Sequence, residues 1–449
     1  MMVLRKLDQI INHMSIKNKK KFGLIIISII LVGCQNISFP DSILPQINNE
    51  ETVTSSTDSS KLEQPAATPT IQLDAPRELV IWVPPHFDPA ADNESGRLLS
   101  ARLEEFQRDN PHLNLIVRVK TAAGSGSLLE TLMYANAVAE DAVPEVIALS
   151  RGDMLQAISK NLVFPIEDLS TTIDDSDWYD FSRNMGIFQG TTYGLPFASN
   201  VLGIIFQQGL LVNTQPSWEE VNRRFNQIII PIADPDALVT LALYLSTGGE
   251  IVDAQGHQTI DVEKYSEVLS TYDEAYRRGV LPLGLAEIQT DDQAWAYFET
   301  TNNSAVISWA SRIISNDNEY EMALLPSLGS ENYSLATGWV WCLAALDDGD
   351  KAEAIRLMEF LIEPDFLRAW SPVSGFLPAR PSSLAGWNDS DVKITIGEML
   401  ETAHLRPNRE HISSIAPEIK NSVLEIIMRQ STPEESAQKL LERLEAIEN

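Results

Sequence analysis

Few side chains in this sequence have the type and spacing needed for covalent chemistry. It holds two cysteines and six histidines in 449 residues, and none of them form a group with the spacing of a zinc site. No Gly-x-Ser-x-Gly, His-Glu-x-x-His or Gly-x-Gly-x-x-Gly motif occurs. The 63 acidic residues include many carboxylate pairs, but such pairs indicate glycoside hydrolysis only once their separation is known. We therefore predict a protein that is not an enzyme and uses no cofactor or metal.

A glycine-rich stretch, Ala123-Gly-Ser-Gly-Ser127, precedes a helical pattern. Free backbone amides ahead of a helix can bind anions, but the Gly-Lys-Ser/Thr ending of a nucleotide-binding loop is missing. Because turn glycines are common at helix starts, we favour a helix entry over a phosphate loop.

The first 33 residues carry six basic residues against Asp8 alone. An apolar run of eleven residues, 22–32, follows three consecutive lysines and leads to Gly33. This order is typical of an export signal, and the run is shorter than the roughly 20 residues of a membrane-spanning helix. We predict a signal peptide over 1–33, with the true start at Met1 or Met14.

The signal ends at Leu31-Val32-Gly33-Cys34, which resembles the lipobox of bacterial lipoproteins. The resemblance implies that Cys34 is acylated and becomes the mature N-terminus. Residues 35–76 are rich in small polar, proline and acidic residues and bury too little apolar surface to fold. We predict a disordered tether over 34–76 and a folded module over 77–449.

The composition of the chain is that of a globular protein with a strong acidic balance. Apolar residues make up 44% of the sequence and the formal net charge is −30. The charge disfavours nucleic acid or an anionic membrane surface as a partner. Cys342 lies in an apolar run, so we predict a buried, inert thiol there.

The module begins with alternating strand and helix patterns. Apolar strand patterns occur at 79–83, 113–119 and 145–149, with helical spacing at 99–106 and 128–139 between them. This order predicts a parallel sheet with right-handed crossovers. Ligands of such sheets bind at loops after the strands' carboxyl ends, which are here 84–88, 122–127 and 150–153.

Further elements follow from spacing and capping residues. Ser217 and Glu220, and likewise Thr432 and Glu435, have the spacing of a helix capping box. We predict helices at 236–246 and 262–278, a final helix after Thr432, and strands at 304–308 and 322–325.

Six short motifs then occur in order along the module. They are Trp82 in the first strand, Glu104-Glu-Phe-Gln-Arg-Asp-Asn-Pro111, Tyr193-Gly-Leu-Pro-Phe-Ala-Ser-Asn200, Pro216-Ser-Trp-Glu-Glu220, Leu335-Ala-Thr-Gly-Trp-Val-Trp341 and Gly375-Phe-Leu-Pro-Ala-Arg380. Behind a lipobox, this series resembles the extracellular solute-binding proteins of ABC importers, in the carbohydrate-binding family that includes maltose-binding protein. The resemblance covers nearly all of 77–449.

The resemblance implies an α/β, two-lobed fold of the periplasmic-binding-protein type, with several hinge crossovers and a ligand cleft between the lobes. Lobe 1 would comprise 77–198 and 327–372, and lobe 2 would comprise 203–325 and 376–449. The crossings would lie near 197–201, 325–326 and 372–376. These are ends of elements flanked by Gly or Pro, as hinges often are.

A sugar in such a cleft needs aromatic rings to stack on and planar polar groups for its hydroxyls. The resemblance implies that Trp309 stacks on the sugar, and Arg312 would bond a hydroxyl. Gly338 would let the backbone approach the ligand beside Trp339. The other candidate ligand-binding residues are His86, Asn200 and Trp341, with Arg151 and Asp153 as further candidates among the loop charges.

Core packing is the alternative for every tryptophan, and we favour it for Trp82 and Trp218. The function that the resemblance implies is the lipid-anchored, extracytoplasmic component of an ABC importer. It would be a monomer that delivers a sugar or oligosaccharide to the permease's transmembrane subunits and binds no nucleic acid. A cell-surface carbohydrate-active hydrolase, a passive adhesion protein, and a polyol or glycerol phosphate as the ligand remain alternatives.

Overall fold

The computed structural model describes residues 76–139, 142–211, 213–314, 320–329, 332–344, 348–388 and 390–448. The predicted signal peptide, Cys34 and the tether lie outside these residues. Within them, no helix has both the length and the apolar character needed to cross a membrane.

The described chain contains eleven strands. They are β1 Arg77–Val83, β2 Leu113–Val119, β3 Val146–Ser150, β4 Ile187–Phe188, β5 Thr191–Thr192, β6 Gly194–Gln207, β7 Gln227–Ile229, β8 Ser304–Trp309, β9 Tyr320–Leu324, β10 Ser334–Leu343 and β11 Ala403–Leu405.

Sixteen α-helices and three short 3-10 turns are described around these strands. The α-helices are α1 Glu94–Asp109, α2 Leu128–Val138, α3 Arg151–Ser159, α4 Asp180–Met185, α5 Trp218–Arg224, α6 Leu238–Ser246, α7 Val262–Arg277, α8 Asp291–Glu299, α9 Ser311–Ile314, α10 Asp348–Leu361, α11 Pro364–Ser374, α12 Pro381–Ala385, α13 Ser390–Glu401, α14 Arg409–Ile412, α15 Ile415–Ile427 and α16 Pro433–Glu448. The 3-10 turns are Pro85–Phe87, Thr172–Asp174 and Leu283–Glu287.

The first part of the sheet follows the predicted pattern. Strands β2, β1 and β3 are parallel neighbours in that order, joined through α1 and α2 as crossovers. Strand β10 then runs antiparallel to β3 and to β6, and β11 pairs with β10 in parallel. The carboxyl ends of β1 and β3 therefore meet at one edge of this part.

Strand β6 is the element shared with the second part of the sheet. Its 14 residues pair with β10 as far as Val201 and with β8 and β9 from Leu202 onward. Strand β7 extends this second part in parallel with β8. One continuous strand thus connects two strand groups, and it changes partner between Val201 and Leu202, directly after the segment 197–201.

The apolar side chains form separate cores on the two parts. One large cluster packs around β6, β8 and β9 and the helices α6, α7, α15 and α16. Two others cover the opposite faces of the sheet formed by β1, β3 and β10. The long helices bury one apolar stripe each, as in α7, where Tyr265, Leu269 and Tyr272 are fully buried.

Three predicted helix starts are confirmed, whereas the helix predicted to begin at 236 begins at Leu238. Ser127 caps α2 by accepting the amide N–H of Glu130 at 3.3 Å, so the glycine-rich stretch is a helix entry. Ser217 accepts the amide N–H of Glu220 at 3.2 Å. Thr432 and Glu435 form a complete capping box, with reciprocal bonds of 3.2 and 3.3 Å.

Candidate functional site

A cavity of about 430 Å³ lies at the carboxyl end of β3. The first wall of the cavity is the start of α3. The second wall is formed by the chain around β10, the segment after β11 and the turn before α6. The lining residues are Ser150, Arg151, Gly152, Asp153, Leu155, Gln156, Ser159, Phe188, Asp236, Ala336, Thr337, Arg406, Pro407, Asn408, Arg409 and Glu410. Its size is within the range of small-molecule sites.

Arg151 is held in the first wall by main-chain oxygens. Its guanidinium Nη1 donates to the carbonyls of Asn184 and Met185, both at 2.8 Å. Desolvation lowers the pKa of Arg151 to about 10, so the side chain stays charged at neutral pH. The residue predicted from its position after β3 thus places a fixed guanidinium at the cavity.

Asp153 lies on the same wall, one turn into α3. Its carboxylate accepts the Ser150 hydroxyl at 2.9 Å, and Ser150 in turn caps the helix through the Asp153 amide. Burial raises the pKa of Asp153, partly offset by the Ser150 bond and the charge of Arg409 on the opposite wall. Asp153 of the first wall and Arg409 of the second therefore carry opposite charges that interact.

The second wall carries an ion pair. Arg406 Nη2 lies 2.6 Å from Asp236 Oδ2, and the Arg406 amide donates to the carbonyl of Ala336 at 2.9 Å. Arg409 and Glu410 are exposed at the start of α14. The lining as a whole contains three guanidinium and three carboxylate groups, all planar and able to form paired hydrogen bonds.

An aromatic group borders this region. The ring centroid of His86 is 4.7 Å from that of Trp339 and 5.6 Å from that of Phe376. Strand register places Trp339 directly beside Ser150 of the cavity lining. His86 is exposed at the surface, yet neighbouring protein atoms desolvate its ring and lower its pKa to about 4. His86 is therefore neutral at pH 7.

The structure places Trp309 and Arg312 together but outside the lining of this cavity. Trp309 is the last residue of β8, half-buried, and packs against the core around β6. The Arg312 guanidinium contacts Asp291 through Nε at 2.8 Å and Nη2 at 2.5 Å, and also contacts Asp292. The Arg312 guanidinium, which was expected to bond a sugar hydroxyl, is therefore already paired with two carboxylates.

Three other candidate ligand contacts have roles within the protein. Trp341 is 2% exposed and stacks on Phe197 with ring centroids 4.4 Å apart. A Cβ on Gly338 would lie 2.3 Å from the carbonyl oxygen of Ala198, so this glycine permits strand packing rather than ligand approach. Asn200 is buried and uses its side-chain amide within the protein.

The residues predicted to be core are core. Trp82 and Trp218 are 2% and 3% exposed. Cys342 is fully buried and unpaired, and desolvation raises its thiol pKa far above the usual range. The described residues contain no group of three or more His, Cys, Asp or Glu side chains suited to a metal ion.

Sequence reasoning missed the second wall of the cavity. Asp236 lies far along the chain from the segment that holds Arg406 and Arg409, so no local motif connects the two parts of this wall. The only local signals are prolines beside two of these residues, Pro235 and Pro407, which are typical of turns that present side chains.

The chain belongs to the family of bacterial extracellular solute-binding proteins, whose model matches residues 101–395. Solved structures of similar fold include MalE3 of T. maritima with bound maltose, at 15% identity and a TM-score of 0.62, covering 82% of this chain and 99% of that one. MalE of Xanthomonas citri has 16% identity and a TM-score of 0.67, covering 82% and 97%.

UgpB of Mycobacterium tuberculosis in complex with glycerophosphocholine is also similar, at 15% identity and a TM-score of 0.60, covering 82% of this chain and 98% of that one. At these identities the likeness shows the fold. The protein therefore has the predicted α/β, two-lobed fold of periplasmic binding proteins, and its function is to bind a solute outside the cytoplasm.

Proposed function

We propose that the protein captures a carbohydrate in the cavity between α3 and the Arg406–Asp236 wall and delivers it to the permease of an ABC importer. The observation that carries the proposal is the lining itself. Sugar hydroxyls both donate and accept hydrogen bonds, and three guanidinium and three carboxylate groups supply both partners around one space. No covalent step is needed, which fits a binding protein rather than an enzyme.

The charge balance of the lining favours an uncharged solute. The chain carries a formal net charge of −30, whereas the charged groups of the lining are equal in number and opposite in sign. A neutral polyhydroxylated ligand can bond both kinds of group without leaving a net buried charge. The neighbouring rings of His86, Trp339 and Phe376 provide apolar faces for a sugar ring.

Cleft closure is the second part of the proposal. We place lobe 1 at 77–198 and 327–372 and lobe 2 at 203–325 and 376–449. Strand β6 would be one hinge, since it changes partners between Val201 and Leu202. The turn at Gly375, with φ of 76°, ends α11 at another proposed crossing. Asp153 and Arg409, on opposite walls, would approach each other as the lobes close.

The cellular setting completes the proposal. A signal peptide over 1–33, acylation of Cys34 and a tether over 34–76 would hold the monomeric module near the bacterial membrane. The permease's transmembrane subunits would receive the sugar there. Trp309 packs against the core around β6 and Arg312 is paired with Asp291 and Asp292, so these two residues would act at the border of the cleft rather than at its centre.

A phosphorylated polyol is the second candidate ligand. Three arginines at one cavity are the side chains that bind phosphate best. The three carboxylates of the same lining repel an anion, and Arg312 is already neutralised by Asp291 and Asp292. These contacts favour the uncharged sugar.

A thermal-shift panel tests the proposal. Maltose, maltotriose, a cyclic maltodextrin, sn-glycerol 3-phosphate and glycerol are added separately to residues 77–449. A ligand bound only by the folded state raises the melting temperature by mass action. We expect a saccharide to give the largest rise; a rise with sn-glycerol 3-phosphate alone would support the second candidate. Hydrolysis of any panel sugar would contradict a binding function.

A further inference from the structure

We infer that Asp234 is the residue that positions the second wall of the cavity, although it does not line the cavity itself. The inference rests on the proposed solute site, and its subject is the turn Asp234-Pro-Asp-Ala237 ahead of α6. We call these four residues the aspartate turn.

Both carboxylate oxygens of Asp234 bind main-chain amides of the turn that follows. Oδ1 accepts the N–H of Asp236 at 3.0 Å, and Oδ2 accepts the N–H of Leu238 at 3.1 Å. The second bond caps α6 in place of the residue at the cap position, Ala237, which has no polar side chain. A single side chain therefore fixes both the turn and the start of the helix.

The backbone of the aspartate turn is held in a costly conformation. Ala237 has φ of 47° and ψ of 35°, in the left-handed region that a residue with a Cβ rarely adopts. Such conformations persist where surrounding contacts impose them, often next to functional sites. Here the two Asp234 bonds and the Ala237 amide, which donates to the Asp234 carbonyl at 3.0 Å, impose it.

The result of this turn is the direction of the Asp236 side chain. Asp236 lines the cavity and meets Arg406 at 2.6 Å, and Arg406 is itself bonded to Ala336 of the lining. Asp234 thus acts through Asp236 on the ion pair that forms the second wall. The Asp234 carboxylate already accepts two main-chain amides and is therefore not available to a solute.

The test uses affinity for maltotriose, measured by calorimetry at pH 7 on parent, Asp234→Ala, Asp236→Ala and the double variant. Loss of an oriented charged hydrogen bond weakens binding by about 10- to 100-fold. We expect Asp234→Ala to weaken maltotriose binding on this scale. The double variant should bind maltotriose as weakly as Asp236→Ala alone, with no further loss from the change at Asp234. Losses that multiply in the double variant would overturn the inference.

Two further variants separate positioning from a general loss of structure. The side chain in Asp234→Asn keeps one oxygen that can accept a main-chain amide N–H. This variant should therefore keep part of the maltotriose affinity that Asp234→Ala loses. The matched control is Asp253→Ala, because Asp253 also accepts two main-chain amides, those of Gln255 and His257, both through Oδ1 at 2.9 and 2.8 Å, and lies outside the cavity lining. This control should bind maltotriose as the parent does.

A readout without sugar keeps the inference testable if maltotriose does not bind, which would count against the proposed function alone. Urea unfolding of Asp236→Ala, Arg406→Ala and their double variant gives the coupling between these two residues. We expect a measurable coupling in the parent background and none in the Asp234→Ala background. An equal coupling in both backgrounds would overturn the positioning role of Asp234.

Discussion

The side-chain amide of Asn200 forms two hydrogen bonds with Ser311. Its Nδ2 donates to the Ser311 hydroxyl at 2.8 Å, and its Oδ1 accepts the Ser311 amide at 3.1 Å. Asn200 lies on β6 beside the point where this strand changes partners, and Ser311 begins α9 directly after Trp309 and Ala310. The pair therefore fixes the segment carrying Trp309 and Arg312 to the proposed hinge strand.

Replacing Asn200 should destabilise the fold. Asn200→Ala removes two hydrogen bonds in a buried setting, and we expect the free energy of unfolding in urea to fall by about 1–3 kcal/mol. Asn213→Ala is the control, because Asn213 forms two similar bonds with Gln215 in an exposed turn. Equal stability of the two variants would show that the Asn200 pair does not hold the crossing.

Trp309 and Trp218 should respond differently to truncation. Trp218 is 3% exposed in the core, so Trp218→Ala should cost about 3–5 kcal/mol of stability. Trp309 is half-buried and lies outside the cavity lining, so we expect Trp309→Ala to lose less stability and to weaken sugar binding by less than about 1 kcal/mol. Unchanged affinity together with a loss of stability as large as that of Trp218→Ala would make Trp309 a core residue.

The decrease in the protein's free energy of unfolding at acidic pH should depend on His86. Its pKa is about 4 in the folded protein against 6.5 for a free histidine, so the unfolded chain takes up the proton first as the pH falls. The contribution of His86 to the free energy of unfolding therefore decreases as the pH falls from 6.5 to about 4. Below about pH 4 His86 causes no further loss of stability. We expect His86→Phe to show a shallower decline in urea unfolding over that window.

NMR titration of the imidazole provides the direct check on this prediction. A His86 signal that titrates near pH 6.5 in the folded protein would mean that the ring is fully solvated. The ring contacts of His86 with Trp339 and Phe376 would then be absent in solution.

Closure of the lobes predicts a change of shape without a change of secondary structure. A saccharide that raises the melting temperature should also reduce the radius of gyration in X-ray scattering, while the far-ultraviolet dichroism stays constant. Bending at 197–201 and 372–376 accounts for this, because strands and helices move as units. Identical scattering with and without a sugar shown to bind would exclude closure.

Anchoring is tested by a single substitution. If Cys34 is acylated, Cys34→Ala leaves the module without a lipid, and cell fractionation should find it outside the membrane fraction. A variant that stays as firmly in the membrane fraction as the parent would contradict the lipobox.

The sequence was sufficient for elements whose formation depends on local pattern. The apolar runs at β1 and β3, the glycine-rich stretch ahead of α2 and the capping residues Ser217 and Thr432 predicted strands and helix starts that the structure contains. These features depend on neighbours within a few residues, so spacing alone reveals them.

The site was only partly predictable, because its two walls meet through the fold. Arg151 and Asp153 follow a recognisable strand, so their approach to the cavity could be expected. Asp236 and Arg406 are 170 residues apart, and only tertiary structure pairs them. The sequence pattern also does not show which polar side chains are already paired within the protein. Arg312, for example, is paired with Asp291 and Asp292.

The most direct test of the proposed function is a calorimetric titration of Arg409→Ala with the saccharide that gives the largest thermal shift. Arg409 is exposed on the second wall of the cavity, so its loss should leave the fold intact. Arg223→Ala, on the exposed face of α5 and paired with Glu219, is the control. We expect about tenfold weaker binding for Arg409→Ala and parental binding for the control; equal affinity in both variants would contradict the proposed site.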